Sequence, residues 1–336
     1  MKRVLLPILC VILLGLVQMD RTGTHLPAVL LGMAIVQGAV LLVAAATLTN
    51  ANWIAPIQRP LLSLTPLLFL FPFLVQLPLG AYFPLAPYPW IDHPTPWLSP
   101  NFFVIRSIVA LLALAVVGVR FRRVLQANGS SARQWAVVYI LTFVVVKTLV
   151  AVDWVMSFDY PWVSTMFPAI YMIECLYAGL AVAGILCYLR ERRQPGSTGD
   201  AIYDIASLLF GFGLFWGGLT FAQYLTIWYG NIPEEVHFFT RRFALRGGQE
   251  LFTGSTVLLF LIPFLIFLIH RVRKSPPAVA LLAVIILAGL LTARLFHIFP
   301  HVLQFESGIF IVQIVAMLGI IIGTVCCENS SKCRSA

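Results

Sequence analysis

Ten apolar runs, cut by short polar connections, decide what this chain can become. They lie at about 4–18, 27–49, 62–81, 101–119, 134–155, 162–189, 202–229, 249–270, 277–296 and 305–326. A stretch of ~20 apolar residues, wound as a helix, crosses the hydrocarbon layer of a bilayer. Of the 336 residues, 60% are hydrophobic and 10% charged. A soluble domain carries ~25% charged residues, so a water-soluble enzyme and a disordered chain are both excluded. The runs are long and continuous, unlike the ~10-residue alternating segments of an outer-membrane barrel. The expected fold is an all-α polytopic membrane protein with about ten transmembrane helices in antiparallel bundles. It forms one integral membrane domain over 1–336. The cytoplasmic connections are too short to fold into a domain of their own.

The net charge of +9 reflects topology, not a nucleic-acid partner. One set of connections holds Lys2, Arg3, Arg59, Arg120, Arg122, Arg123, Arg133, Arg190, Arg192, Arg193, Arg271, Arg273, Lys274, Lys332 and Arg334. The other holds only Arg21, Arg241, Arg242, Arg246 and Arg294. Basic loops stay in the cytoplasm, so both termini are expected there, with the protein in the inner (cytoplasmic) membrane. The start, residues 1–18, lacks a small-x-small cleavage site and reads as an uncleaved first helix. Leu9, before Cys10, is too large for a lipoprotein site.

Two outer loops are expected, 82–100 and 230–248, with a short cytoplasmic tail at 327–336. Residues 81–100 hold six prolines and no Lys or Arg, which rules out a helix. Tyr82, Tyr88, Trp90 and Trp97 suit the membrane–water interface. The second loop is the longest charged connection. Its Asn231, Glu234, Glu235 and His237 are candidates for docking a partner subunit.

Ionisable groups at membrane depth point to function, because each costs a few kcal/mol there. Lys147, Asp153 and Glu174 are the candidates, with Asp159 nearer the outer interface. Counted from the short outer loop near 156–161, Lys147 lies about 12 Å down and Glu174 about 18 Å down. The two long side chains can meet, as a structural ion pair or as part of a proton path. Arg106 is expected to snorkel outward. Glu250 and Glu306 are expected at the interface, near helix starts.

The six cysteines, Cys10, Cys175, Cys187, Cys326, Cys327 and Cys333, form no C-x-x-C pair and do not cluster with histidine, so no zinc or iron–sulfur site is expected. His25, His93, His237, His270, His297 and His301 lie at helix ends or in connections, so no bis-histidine haem pair fits. Pro300 interrupts the i,i+4 spacing of His297 and His301. No Walker motif, phosphate cradle or Ser-His-Asp arrangement is present. No catalytic or metal residue is assigned.

Two stretches carry a resemblance. The first, KTLVAVDWVMSFDYPWVSTMF at 147–167, includes Asp153, Trp154, Met156, Ser157, Asp159, Trp162, Ser164, Thr165 and Phe167. The second, LLFGFGLFWGGLTFAQYLTIWYGNIPEEVHFFTRR at 208–242, includes Phe215, Trp216, Phe221, Gln223, Ile227, Trp228, Tyr229, Asn231, Ile232, Pro233, Glu234 and Glu235. Together they resemble the ActF-type subunit, quinone-binding subunit 2, of the quinol:cytochrome c oxidoreductase called alternative complex III. Weaker similarity covers Ala51–Pro60, Phe102–Arg106 and 263–275, so that the resemblance spans most of 45–300. The chain departs from the family at Asp159-Tyr160-Pro161-Trp162, where a histidine is usual, and at Phe167-Pro168-Ala169, which replaces a Gly-rich start. Arg294 and His297 stand where an acidic residue is usual.

The resemblance implies a membrane scaffold of two four-helix bundles plus extra helices, with a half-channel for protons. It implies a subunit of a respiratory electron-transport complex, not itself catalytic. It implies no redox cofactor bound by this chain, and leaves room for quinone or quinol. Haem and iron–sulfur clusters would belong to partner subunits, membrane and extracytoplasmic. The competing readings from the residues alone are a stand-alone secondary transporter or ion channel, and a quinone-binding anchor of a different oxidoreductase.

Overall fold

The computed structural model describes residues 25–72, 88–301 and 307–331. Among these residues there is no strand, and seven helices are long and apolar enough to cross a membrane. They are α1 (Leu26–Thr49), α2 (Pro100–Gln126), α3 (Ala132–Asp159), α4 (Met166–Arg193), α5 (Ala201–Gly230), α7 (Gly248–Phe267) and α8 (Pro276–His301). Between α5 and α7 lies a shorter helix, α6 (Pro233–Ala244), and α9 (Ser307–Ser331) closes the described chain. The protein is thus an all-helical, multi-pass membrane protein. Seven of the ten expected runs fall on the seven helices. The run at 305–326 is helical through its described part. The run at 4–18 lies outside the described residues, and that at 62–81 is described only to Phe71-Pro72.

Each helix boundary has a local cause. Proline occupies the first turn of α1, α2, α6 and α8, where its missing N–H costs nothing. Asn50 and Asn231 adopt left-handed backbone just past α1 and α5 and end them. Arg190, Arg192 and Arg193 fill the last turn of α4, as the helix dipole favours.

Helix α1 is the centre. It carries no charge and is apolar on every face, a pattern that suits enclosure by other helices. In its most apolar window 94% of residues are buried. Helices α3, α4, α8 and α9 surround it. Lipid tails are as apolar as leucine, so close contact rather than water exclusion holds such helices together. At the α1–α4 crossing, a Cβ on Gly38 would overlap the Cys175 carbonyl, and one on Gly179 would overlap the Gly38 carbonyl. Only glycine lets the backbones approach this far.

Helix α4 packs on α1, α3, α5 and α8. The ends of the molecule differ. At one end Arg120, Arg122 and Arg123 finish α2, Arg190, Arg192 and Arg193 finish α4, and Arg271 and Arg273 follow α7. This is the basic end. At the other, aromatic end lie Trp90, Trp97 and α6. Leu68 packs near Gly118 toward the basic end, whereas Tyr88 donates to the Trp154 carbonyl toward the aromatic end.

Candidate functional site

Three polar clusters lie among the helices, and α2, α3, α4, α5, α6 and α8 supply them. The central one forms around Glu174 on α4, eight residues into its helix and so about 12 Å from its start. Glu174 and Arg294 of α8 are both wholly buried, with Arg294 Nη2 at 2.5 Å from Glu174 Oε2. The N–H is not aligned on that oxygen, so this is an ion pair without a well-formed hydrogen bond. The indole Nε1 of Trp216, on α5, donates to the other carboxylate oxygen at 3.1 Å. The guanidinium lies over the Tyr171 ring, 3.7 Å from its centroid.

Lys147 of α3 belongs to the same cluster and is wholly buried. Its Nζ faces the Tyr171 ring at 5.6 Å and has the Cys175 thiol as a neighbour, yet makes no well-formed hydrogen bond. The expected Lys147–Glu174 ion pair is therefore replaced by Arg294–Glu174. The physical reason is geometric: the guanidinium presents a broad fork and reaches the carboxylate first. Two basic side chains thus share one buried acid.

The second cluster closes the aromatic end. Asp159, the last residue of α3, receives Arg242 Nη2 at 2.7 Å and Nη1 at 3.2 Å, a two-pronged pair. His301 Nε2 stands 3.2 Å from the same carboxylate. Arg242 also donates to the carbonyls of Phe296, His297 and Phe238, at 3.1, 2.9 and 2.8 Å. Its guanidinium covers the Phe238 ring at 3.8 Å. Burial lowers the Arg242 pKa, and the adjacent Asp159 opposes that shift. Arg242 thus ties α6 to the ends of α3 and α8.

His297 connects the two clusters. Its Nδ1 stands 3.3 Å from the Tyr171 hydroxyl, whichever partner holds the proton. A cavity of about 30 Å³ opens beside it, lined in part by Glu174, Trp216, Thr220, Gln223, Ser255 and His297. About 10–15 Å³ accommodates one water, so the cavity has room for water next to polar groups. The Thr220 hydroxyl is buried without a hydrogen-bond partner. The arrangement is a polar track from Glu174 through Tyr171 and His297 to Asp159, Arg242 and His301.

The third cluster lies apart, between α2 and α3. Asp153 receives Arg106 Nε at 2.8 Å and Trp97 Nε1 at 3.1 Å. Arg106 does not snorkel outward as expected. The carboxylate beside it and the Trp97 ring, 4.0 Å away, offer a better site than the interface. Asp153 sits in a stretch, Val150–Val155, where α3 widens into π-helix. Such bulges often mark functional positions. Ser157 donates to the Asp153 carbonyl, and Trp154 Nε1 to Ser107 Oγ at 2.9 Å. A second π stretch, Val257–Leu261 in α7, gives its Leu259 carbonyl to the Tyr177 hydroxyl at 2.9 Å.

The structure thus joins Lys147 and Glu174 in one cluster and puts Asp159 and Asp153 in two others. Asn231, Glu234 and His237 are exposed on and before α6, with Glu235 half-buried. Glu250 is exposed at the start of α7, and Glu306 lies outside the described residues. Tyr171 was not named from the sequence, and Arg294, Arg242, His297, His301 and Trp216 were named there only for charge, spacing or resemblance, not as site residues. Among the described residues no group of three or more His, Cys, Asp or Glu could hold a metal ion. Compared with known protein families, the chain matches no family model. No protein of curated function matches it significantly either.

Proposed function

We propose that this chain is a membrane subunit of a quinol-oxidising electron-transfer complex of the alternative complex III type, serving as scaffold and proton path. The observation that carries the reading is the meeting of its two resemblance stretches. Residues 147–167 and 208–242 are far apart in sequence, yet Asp159 of the first holds Arg242 of the second in a buried pair. Trp216 of the second also holds Glu174. The two stretches thus touch the polar track at Asp159, Arg242 and Trp216. Protons would move along groups that can exchange them: Glu174, Tyr171, cavity water, His297 and the Asp159–His301 pair. Quinone, haem and iron–sulfur chemistry would lie in the partners. The basic end is assigned to the cytoplasm. Arg294 drops out of the loop charges because it is buried, which only sharpens the asymmetry.

Affinity purification of the tagged chain from its native membrane tests membership. A multihaem cytochrome and an iron–sulfur protein should co-purify, with quinol:cytochrome c activity. A chain that purifies alone points to a secondary transporter, a reading that the buried Lys147 amine would also suit. Within the complex, Glu174→Gln should lower the protons released per electron. An unchanged ratio in an assembled variant would remove the proton path and leave the scaffold.

A further inference from the structure

We propose that the basic end carries a binding site for a phospholipid with an anionic headgroup. A cavity of about 260 Å³ opens there, between the segment after α1 and the ends of α4 and α9. Its walls are Pro56, Ile57, Pro60, Leu186, Leu189 and Val325, and its charged groups are Arg190 and Arg193. The residues that line it include no acid. Arg59, between two of the lining residues, is exposed and adds to the same sign.

Positive charge alone at this end would need no ligand, since topology and the α4 dipole both call for it. The cavity is what they do not call for. Arg190 spends Nη1 on a neutral acceptor, the Pro56 carbonyl, at 2.8 Å. The nearest acid in sequence, Glu191, is turned into the following loop, where it accepts from Gly196 N, Thr198 N and Thr198 Oγ1. Among the described residues, the two arginines line the cavity without an acid beside them to balance them. The cavity lies where membrane helices end, so its level is that of lipid headgroups. Its apolar walls suit the upper acyl chain and its arginines suit a phosphate.

The test uses the full chain in bilayers of phosphatidylcholine with or without phosphatidylglycerol, followed by native mass spectrometry of retained lipid. The wild type should keep phosphatidylglycerol in preference to phosphatidylcholine. Arg193→Gln should lower that retention about fivefold, the worth of one arginine near an anionic surface. Arg123→Gln, an exposed charge at the same end outside the cavity, should leave retention unchanged. Because Arg190 also supports the Pro56 segment, Arg190→Lys, which keeps the charge, is paired with Arg190→Gln. The lysine variant should hold lipid and the glutamine variant should lose it. Equal retention of both lipids, or equal losses in Arg193→Gln and Arg123→Gln, overturns the proposal.

Discussion

Glu174 and Lys147 share a cluster but not a fate. Glu174 balances Arg294, so Glu174→Gln strands a buried guanidinium and should cost about 3–5 kcal/mol. Replacing the pair together, Glu174→Leu with Arg294→Met, should be neutral or stabilising by about 1–4 kcal/mol, since both charges leave the bilayer. Lys147→Met should stabilise by about 1–3 kcal/mol, because it deletes a buried donor with no well-formed hydrogen bond. Unfolding equilibria in mixed micelles would measure all three. A Lys147→Met protein less stable than wild type would mean that the amine has a partner after all. Lys147 and Glu174 were legible in the sequence because a charge deep in an apolar run needs a partner or water. Arg294 was not, because it stands near the end of its run, where arginines usually reach water. Arg242 was hidden differently. It sits among Arg241, Arg246, Glu234 and Glu235, and only the fold selects which of these turns inward.

At the scale of elements, α6 shows where pattern reading fell short. Its charges and its low apolar content pointed to a loop. The helix signals were present nonetheless: Pro233 at the first position, Glu234 and Glu235 in the first turn, Arg241 and Arg242 in the last. One face of α6 buries Phe238, Phe239 and Arg242, while Glu234 and His237 stay exposed. If that outer face docks a partner, charge reversal at Glu234 and Glu235 should release an extracytoplasmic subunit in pull-downs without unfolding α6. A complex that stays intact would leave the face merely solvated. The long helices were legible because hydropathy is a property of each run by itself. Their crossings were not, because a glycine in an apolar helix does not say what approaches it. Gly38→Ala should cost about 1–3 kcal/mol by overpacking the α1–α4 crossing. Gly218→Ala on α5, where a Cβ meets nothing within 4 Å, should be neutral or mildly stabilising in the same assay.

For the whole molecule, sidedness is the property that a simple experiment can fix. Reporter fusions after Arg193 and after Leu245 should read cytoplasmic and extracytoplasmic, respectively, and the opposite pair of readings would invert the assignment. The enclosure of α1 has a consequence in time as well as in space. Helix α1 enters the membrane early, but α8 and α9, which help to enclose it, begin at Pro276 and Ser307. Synthesis at roughly 5–20 residues per second leaves α1 without them for roughly ten to fifty seconds. During that interval lipid stands in for protein, which an uncharged helix tolerates. Helix α3 arrives first, and α4 follows and can lock at Gly38 while the rest is still being made. The centre of the finished protein is thus made well before α8 and α9 that help to enclose it, and a ribosome stalled after α4 should already hold α1 and α4 close enough to cross-link.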